Sequence, residues 1–184
     1  TWYDQTVYQE DIPSNQIENW AKIQADRFEN NVIRGFHTEL EAVYEEKNMS
    51  LTRDNSKIQE AIFSSLFPKH PYGTQTVLGT QENPSITNIK NYYKQWYVPN
   101  NMAICMSGDL DPDETIAMID KYFGSLKPNP ELPKLDLPKE DPITAPIVKE
   151  VLGPDAESVA LAWRFPGASS KDFEILQVVS QVLY

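Results

Sequence analysis

Residues 36–66 have the sequence FHTELEAVYEEKNMSLTRDNSKIQEAIFSSL, in which apolar side chains recur at helical spacing. The positions that share this spacing are Phe36, Leu40, Val43, Leu51, Ile58, Ile62 and Leu66. Such a period predicts an amphipathic helix, because side chains three and four residues apart lie on one face. We therefore expect a long helix from about 34 to 65 that can bend near 48–55.

Four glutamates lie in the first half of this helix, at Glu39, Glu41, Glu45 and Glu46. At about 100° per residue, Glu39 and Glu46 point within about 20° of each other, at the edge of the apolar stripe. Glu41 and Glu45 point roughly the other way. Glu39 and Glu46 are therefore candidates for a cleft wall, where a carboxylate can bind metal or titrate unusually. On spacing alone, a solvated acidic face is the more common explanation.

Outward from this helix, the same spacing argument predicts further elements on both sides. Further helices are expected at about 14–30, 84–95, 111–124 and 169–184. Alternating or continuous apolar runs predict strands at 1–8, 101–108 and 158–165. The two prolines and one glycine of residues 67–73 predict a loop that ends the long helix.

Prolines recur at 128, 130, 133, 138, 142 and 146 with charges between them, which is typical of an extended, semi-rigid linker. We predict one domain at 1–126, a linker at 127–146 and the beginning of a second domain at 147–184. The last part is too short to bury a core of its own. Because Thr1 is not a methionine and already lies in a strand pattern, we expect the chain to be cut from a longer protein.

The composition excludes several classes of partner. A net charge of −11 disfavours nucleic acid and anionic membranes, since both would repel the protein surface. No run approaches the ~20 apolar residues that span a bilayer, so we expect a soluble protein, either periplasmic or cytoplasmic. The single cysteine, Cys105, lies in the apolar run 102–106 and is predicted to be an inert core thiol.

The Glu39-x6-Glu46 pair on a long helix resembles the downstream glutamate motif of the pitrilysin/insulinase (M16) zinc metallopeptidases. Other segments are similar to that family in the order it uses. They are TWYDQTVY (1–8), KHPYG (69–73), YVPNNM (97–102), Gly108-Asp109 and the helix at 111–124. The resemblance covers nearly the whole chain, from the middle of a first domain into the start of a second.

The resemblance implies an α+β fold of the two-layer LuxS/mitochondrial-processing-peptidase type, with helices packed on an antiparallel-rich sheet. It also implies zinc as cofactor, with Glu46 as the metal ligand. Glu39 would be a catalytic residue beside it that orients a ligand histidine or damps the local charge. The density of glutamates also allows Glu41 or Glu39 at the ligand position. We favour Glu46, because Arg53-Asp54 then falls where the family often has such a pair.

One departure from the family pattern is large, because no His-x-x-Glu-His motif occurs in the chain. His37 is two residues from Glu39 and points elsewhere on the helix, and His70 is interpreted as a loop packing residue. With only one ligand, this chain by itself is expected to hold zinc poorly and to be inactive. The resemblance also makes Thr1 and Tyr3 candidates for substrate binding, through an edge strand that pairs with an extended peptide.

Three functions follow from these observations. The first is an active zinc metalloendopeptidase that cuts unfolded peptides, of which this chain is a part. The second is a non-catalytic M16 partner subunit that shapes a peptide-binding chamber. The third is a plain structural or binding α/β module whose glutamates are surface charge. The family architecture implies a peptide substrate and either a homodimer or pairing with another M16 subunit.

Overall fold

The computed structural model describes residues 1–77 and 85–183, and these residues form helices joined by irregular segments. The helices are α1 (Ile17–Glu29), α2 (Phe36–Leu51), α3 (Asp54–Leu66), α4 (Pro71–Thr74), α5 (Ile86–Trp96), α6 (Pro112–Phe123) and α7 (Asp172–Leu183). Single 3-10 turns occur at Ser14–Gln16 and Pro99–Asn101. None of the helices in the described part of the chain has the length and apolar character that a bilayer crossing requires.

The predicted helices are confirmed within the described residues, including the bend in the long acidic helix, while positions 84 and 184 of two predicted helices lie outside those residues. The predicted loop at 67–73 differs, because the short helix α4 begins in it at Pro71. The pattern from 34 to 65 is divided into α2 and α3, with Arg53 between them in an extended conformation (φ −92°, ψ 125°). The N–H groups of Thr52 and Arg53 still donate to carbonyls at the end of α2, at 3.2 Å each. The chain therefore leaves one helix in a tight turn and begins the next helix at once.

Side-chain caps fix where two of the other helices begin. The carboxylate of Asp111 accepts a hydrogen bond from the N–H of Glu114 at 2.9 Å, and Pro112 occupies the first position of α6. The hydroxyl of Ser85 accepts from the N–H of Asn88 at 3.1 Å and caps α5. Both caps satisfy N–H groups that have no partner inside a helix.

The predicted α+β fold is wrong for the residues that the structure describes. The segments 1–8, 101–108 and 158–165 form no β-ladder, and no strand occurs anywhere in 1–77 or 85–183. A strand needs backbone hydrogen bonds to a neighbouring strand, whereas an alternating pattern specifies only which side chains share a face. The same finding removes the antiparallel-rich sheet and the sheet of the α/β module.

The prediction that Cys105 is a core thiol is also wrong, because its side chain is exposed. The prediction assumed that the apolar run 102–106 was a buried strand. Without a paired strand on either side, Ala103, Ile104 and Cys105 all remain exposed.

The chain divides into two compact units, and the boundary falls within α2. Unit 1 contains residues 1–47 and 77–136. Unit 2 contains residues 48–76 and 137–184. The linker and the two domains predicted from the proline pattern remain predictions.

In unit 1, α1 packs on α6. Ala21 and Ala25 lie one turn apart on α1 and are 0% and 5% exposed, so small side chains occupy the buried face. The rings of Trp20 and Phe123 lie 6.4 Å apart between the two helices. Glu18 accepts hydrogen bonds from the Lys121 ammonium and the Tyr122 hydroxyl, at 2.8 Å each. The pair α1 and α6 is thus held by apolar packing between the helices and by exposed polar contacts of Glu18.

In unit 2, α3 packs on α4. The ring of Phe67, just after α3, lies 5.5 Å edge-on from Tyr72 and 6.1 Å from Phe63. This aromatic cluster turns the chain from the end of α3 into the short helix α4.

Candidate functional site

The acidic face of α2 is the site that the sequence predicts. The N–H of Glu39 donates to the carbonyl of Gly35 at 3.0 Å, and Gly35 adopts a positive φ of 62° that glycine tolerates without strain. The side chains of Glu39 and Glu46 are exposed. Within the described residues, neither carboxylate has a hydrogen bond or an ion pair. Both are therefore available to an external ligand.

Burial does not separate the two candidate glutamates from their neighbours. Glu41 and Glu45 are exposed as well, and the apolar stripe of α2 is only half-buried. The 20° difference between Glu39 and Glu46 around the helix remains the only feature that pairs them. The Glu46 assignment therefore stays a prediction from the sequence.

The described residues contain no group of three or more His, Cys, Asp or Glu side chains that could hold a metal ion. His37 is exposed, and its ring contacts the edge of Phe36 at 5.3 Å. His70 has a structural role, because its Nδ1 accepts a hydrogen bond from the N–H of Tyr72 at 3.2 Å and caps α4. In this part of the chain, Glu46 can supply one zinc ligand but not the three that a catalytic zinc takes.

The N-terminal segment does not form the edge strand on which the substrate-binding prediction depended. The N–H of Trp2 donates to the carbonyl of Gln5 at 2.8 Å, so the chain bends at Tyr3 and Asp4. Thr1 is exposed and Tyr3 is half-buried. A substrate-binding role for Thr1 and Tyr3 remains a prediction, without the strand that would explain it.

Residues just after this bend make polar contacts with α1 and with Tyr97, the residue that follows α5. The guanidinium of Arg27 lies 4.0 Å above the ring of Tyr8. The carboxylate of Glu10 accepts from the Trp20 indole at 2.5 Å and from the Gln24 amide at 2.8 Å. Burial, with a further contribution from the hydrogen bond to Tyr8, raises the pKa of Tyr97 to about 12. Tyr97 is therefore neutral at pH 7 and acts as a packing and hydrogen-bonding group.

Two carboxylates that sequence reasoning missed lie in unit 2. Asp54, in the first turn of α3, is 9% exposed. Its carboxylate accepts from the N–H of Asp155 at 2.9 Å and from the Lys57 ammonium at 3.2 Å. The backbone hydrogen bond from Asp155 and the Lys57 charge lower the pKa of Asp54 despite its desolvation. An acidic residue at a helix start is so common that its sequence context gave no sign of this contact.

Glu140 is the second of these carboxylates, and its side chain is 8% exposed. It accepts hydrogen bonds from the N–H groups of Lys69 and His70, at 2.7 Å each. The guanidinium of Arg164 lies 3.9 Å from Glu140 and donates to the carbonyls of Leu66 and Asp141. The hydrogen bonds to Lys69, His70 and Leu66 join residues 70 to 98 positions apart, so no local pattern could reveal them.

Comparison with known families matches residues 85–184, just over half of the chain, to a model described as the peptidase M16 inactive domain. The matched region begins after α2 and α3, so Glu39, Glu46 and Asp54 lie outside it. It includes α5, α6, α7 and the proline-rich segment between α6 and α7.

Among curated proteins, the chain is 26% identical over 140 residues to the probable zinc protease PqqL of Escherichia coli, covering 70% of this chain and 15% of that protein. It is 28% identical over 141 residues to the probable mitochondrial-processing peptidase subunit beta of Schizosaccharomyces pombe, covering 74% and 31%. It is 27% identical over 157 residues to the zinc protease PqqE of Helicobacter pylori, covering 80% and 35%. The chain thus spans between about a seventh and about a third of the length of these relatives.

Proposed function

Since this chain belongs to the peptidase M16 family, we propose that it is part of a zinc-dependent metalloendopeptidase that hydrolyses peptide bonds in unfolded peptides. In this proposal Glu46 on α2 is a zinc ligand and Glu39 acts beside it. The observation that carries the assignment is that both carboxylates are exposed and unpaired within the described residues, one above the other on a single helix. The names of the relatives, two of which are called zinc proteases, support the same chemistry.

Glu46 fits zinc as a single carboxylate ligand, and the described residues do not complete the set. A catalytic zinc takes three protein ligands and keeps one open position for water. The remaining ligands would come from a His-x-x-Glu-His segment, which this sequence does not contain. The isolated chain is therefore proposed to hold zinc weakly and to be inactive.

When bound, zinc supplies a Lewis acid that lowers the pKa of a water molecule towards ~7. The residues of this chain would supply negative charge to the metal and fix the direction of a ligand. Glu46 contributes an ionised oxygen and one unit of negative charge, and α2 fixes the direction from which that oxygen approaches. Glu39, two turns earlier on the helix, would orient a ligand histidine by accepting a hydrogen bond from its outer N–H, or would damp the local charge.

The partner proposed for the whole protein is a second M16 subunit, either another copy or a related chain. Support comes from the relative named as a subunit of a mitochondrial-processing peptidase. The substrate is proposed to be a peptide, and Thr1 and Tyr3 remain candidates for contacting it. The chain's strong negative charge disfavours acidic peptides, because like charges repel.

The test is zinc content and peptide cleavage in the parent protein that carries this chain, compared with its Glu46→Gln variant. Glutamine keeps the size and helix propensity of glutamate but loses the anionic ligand. We expect the variant to lose bound zinc and at least ~100-fold in kcat/KM, with unchanged helicity by circular dichroism. Glu41→Gln is the matched control, since Glu41 is equally exposed on the same helix and points away.

Zinc content close to one per chain in Glu46→Gln would contradict the ligand assignment. Equal losses in Glu41→Gln would point to another register of the glutamate run. Chelator-sensitive cleavage by the isolated 184-residue chain would contradict its proposed inactivity.

A second function, a non-catalytic M16 subunit that shapes a peptide-binding chamber, is favoured by the description of the matched model as an inactive domain. Under that function the parent protein binds no zinc, and the Glu46→Gln variant behaves as the parent does. Zinc content of the parent therefore separates the two functions before any variant is made.

A further inference from the structure

The segment from residue 137 to residue 164 in unit 2 contacts α3, or residues directly after it, near both ends of the helix. Glu140 binds the N–H groups of Lys69 and His70, just beyond the C-terminal end of α3. Residues 152–155 contact Asp54 and Lys57, at the N-terminal end of α3. Arg164 then donates to the carbonyl of Leu66, the last residue of α3.

These three contacts define a path out along α3 and back. The 13 residues of α3 are about 20 Å long. The stretches 141–152 and 155–164 each contain enough residues to cover that distance in an extended conformation, at up to ~3.3 Å per residue. The segment therefore runs from the C-terminal to the N-terminal end of α3, turns at 152–155 and returns.

We propose that residues 137–164 form a strap on α3, closed at its ends by Glu140 and Arg164 and held at its turn by a latch that Asp54 makes with residues 152–155. The latch opens when the contacts of Asp54 with residues 152–155 break. The turn of the strap then moves away from α3, while Glu140 and Arg164 keep their contacts at the ends. The strap is thus a conformational device with a defined release point.

The latch has three hydrogen bonds around one ion pair. One oxygen of Asp54 accepts the Asp155 N–H at 2.9 Å, and the other accepts from Lys57 at 3.2 Å. The Lys57 ammonium also donates to the carbonyl of Leu152 at 3.2 Å. The two side chains on α3 therefore bind one N–H and one carbonyl of the turn. A backbone donor and a backbone acceptor of the turn are both held by α3.

Gly153 lies against this latch, and the contact depends on its lack of a side chain. A Cβ built at Gly153 would overlap the carboxylate of Asp54. The φ of Gly153 lies outside the positive range that only glycine readily adopts. An alanine at 153 is therefore compatible with the backbone and incompatible with the closed latch.

The end fastening differs from the latch, because its side chains are charged, mostly buried and bound to several backbone groups. Glu140 and Arg164 are 8% and 17% exposed and contact four backbone groups between them. Between the fastened ends and the turn, residues 141–150 are exposed throughout. Asp54 and Lys57 are thus the contacts that restrain the turn.

The test is amide hydrogen exchange of the 184-residue chain, followed at the Asp155 N–H, with Gly153→Ala compared with Gly167→Ala. Nothing lies within 4 Å of a Cβ built at Gly167, so its substitution is the matched control. We expect Gly153→Ala to accelerate exchange at Asp155 at least tenfold, with unchanged exchange at the Lys69 and His70 amides. The Gly167→Ala variant should match the parent chain.

Asp54→Ala provides the second route to an open latch, since it removes the acceptor and leaves Gly153 in place. It should accelerate exchange at Asp155 to a similar degree. Unchanged protection of Asp155 in both variants would overturn the proposal. Equal acceleration at Asp155, Lys69 and His70 would overturn it too, because the strap would then open as a whole and have no release point.

Discussion

Two consecutive helices carry acidic residues in opposite environments. Glu46 on α2 is exposed and has no partner in the described residues, whereas Asp54 on α3 is 9% exposed and binds the Asp155 N–H and Lys57. The two groups have the same chemistry, so their surroundings decide what each can do. A solvated carboxylate can exchange water for a metal ion, whereas a carboxylate with satisfied oxygens would first have to release its partners.

This difference has a practical consequence for choosing site residues from a sequence. Asp54 lies next to Arg53 in a pair that resembles a family motif, yet its contacts in the structure are with Lys57 and the 152–155 turn. The hydrogen bond from the Asp155 N–H and the charge of Lys57 lower the pKa of Asp54. A perturbed carboxylate in this chain therefore marks an internal contact and not a metal ligand.

For the exposed glutamates of α2, the largest expected effect is the loss of zinc and activity in Glu46→Gln. For the buried carboxylates of unit 2, the largest expected effect is the loss of stability in Glu140→Ala. This substitution leaves the N–H groups of Lys69 and His70 without their acceptor and the guanidinium of Arg164 without its ion-pair partner, in a mostly buried site. We expect the free energy of unfolding to fall by about 2–4 kcal/mol.

Urea denaturation followed by circular dichroism measures this change. Glu150→Ala is the control, because Glu150 is exposed in the same segment and its side chain makes no hydrogen bond or ion pair within the described residues. Equal midpoints for Glu140→Ala and the parent chain would mean that the end fastening is not stabilising.

A smaller effect is expected from Glu39→Gln in the parent protein. If Glu39 orients a ligand histidine, its substitution should weaken zinc affinity or kcat by about 10- to 100-fold without abolishing either. Competition with a zinc chelator measures the affinity, and Glu45→Gln serves as an exposed control on α2. A loss as complete as that of Glu46→Gln would make Glu39 the ligand instead.

The sequence predicted the helices well because their determinants are local. Apolar spacing, the Asp111 and Ser85 caps and the bend near Arg53 all depend on residues within a few positions of one another. The strands failed for the opposite reason, since the alternation in 158–165 cannot specify a partner for its backbone. The hydrogen bonds that join Asp54 to Asp155 and Glu140 to His70 were missed because these partners lie 101 and 70 residues apart in the sequence.

Only the helix geometry of the candidate site could be predicted from the sequence. The angle between Glu39 and Glu46 follows from their spacing, and their exposure agrees with a role on a surface or cleft. Exposure does not distinguish Glu46 from the other three glutamates of α2 as the proposed ligand, because all four are exposed. No local signal could decide between them.

The smallest expected effect is the acid sensitivity of the Asp54 latch, which distinguishes a paired carboxylate from a solvated one. The hydrogen bond from Asp155 and the charge of Lys57 lower the pKa of Asp54, so the folded state binds its proton less tightly than the unfolded state. The stabilisation is therefore complete above the unfolded pKa of about 3.9 and is lost as the pH falls through the lower folded value.

Amide exchange at Asp155, corrected for the intrinsic pH dependence, should therefore show constant protection between pH 5 and 7 and decreasing protection below about pH 4. The Asp54→Asn variant keeps one acceptor oxygen but cannot titrate at this position, so its protection should be weaker at pH 7. Its decrease in acid should also be smaller, because residue 54 can no longer take up a proton. Identical pH profiles for the parent chain and Asp54→Asn would show that protonation of Asp54 does not govern the latch, and the contrast between Asp54 and Glu46 would then concern geometry alone.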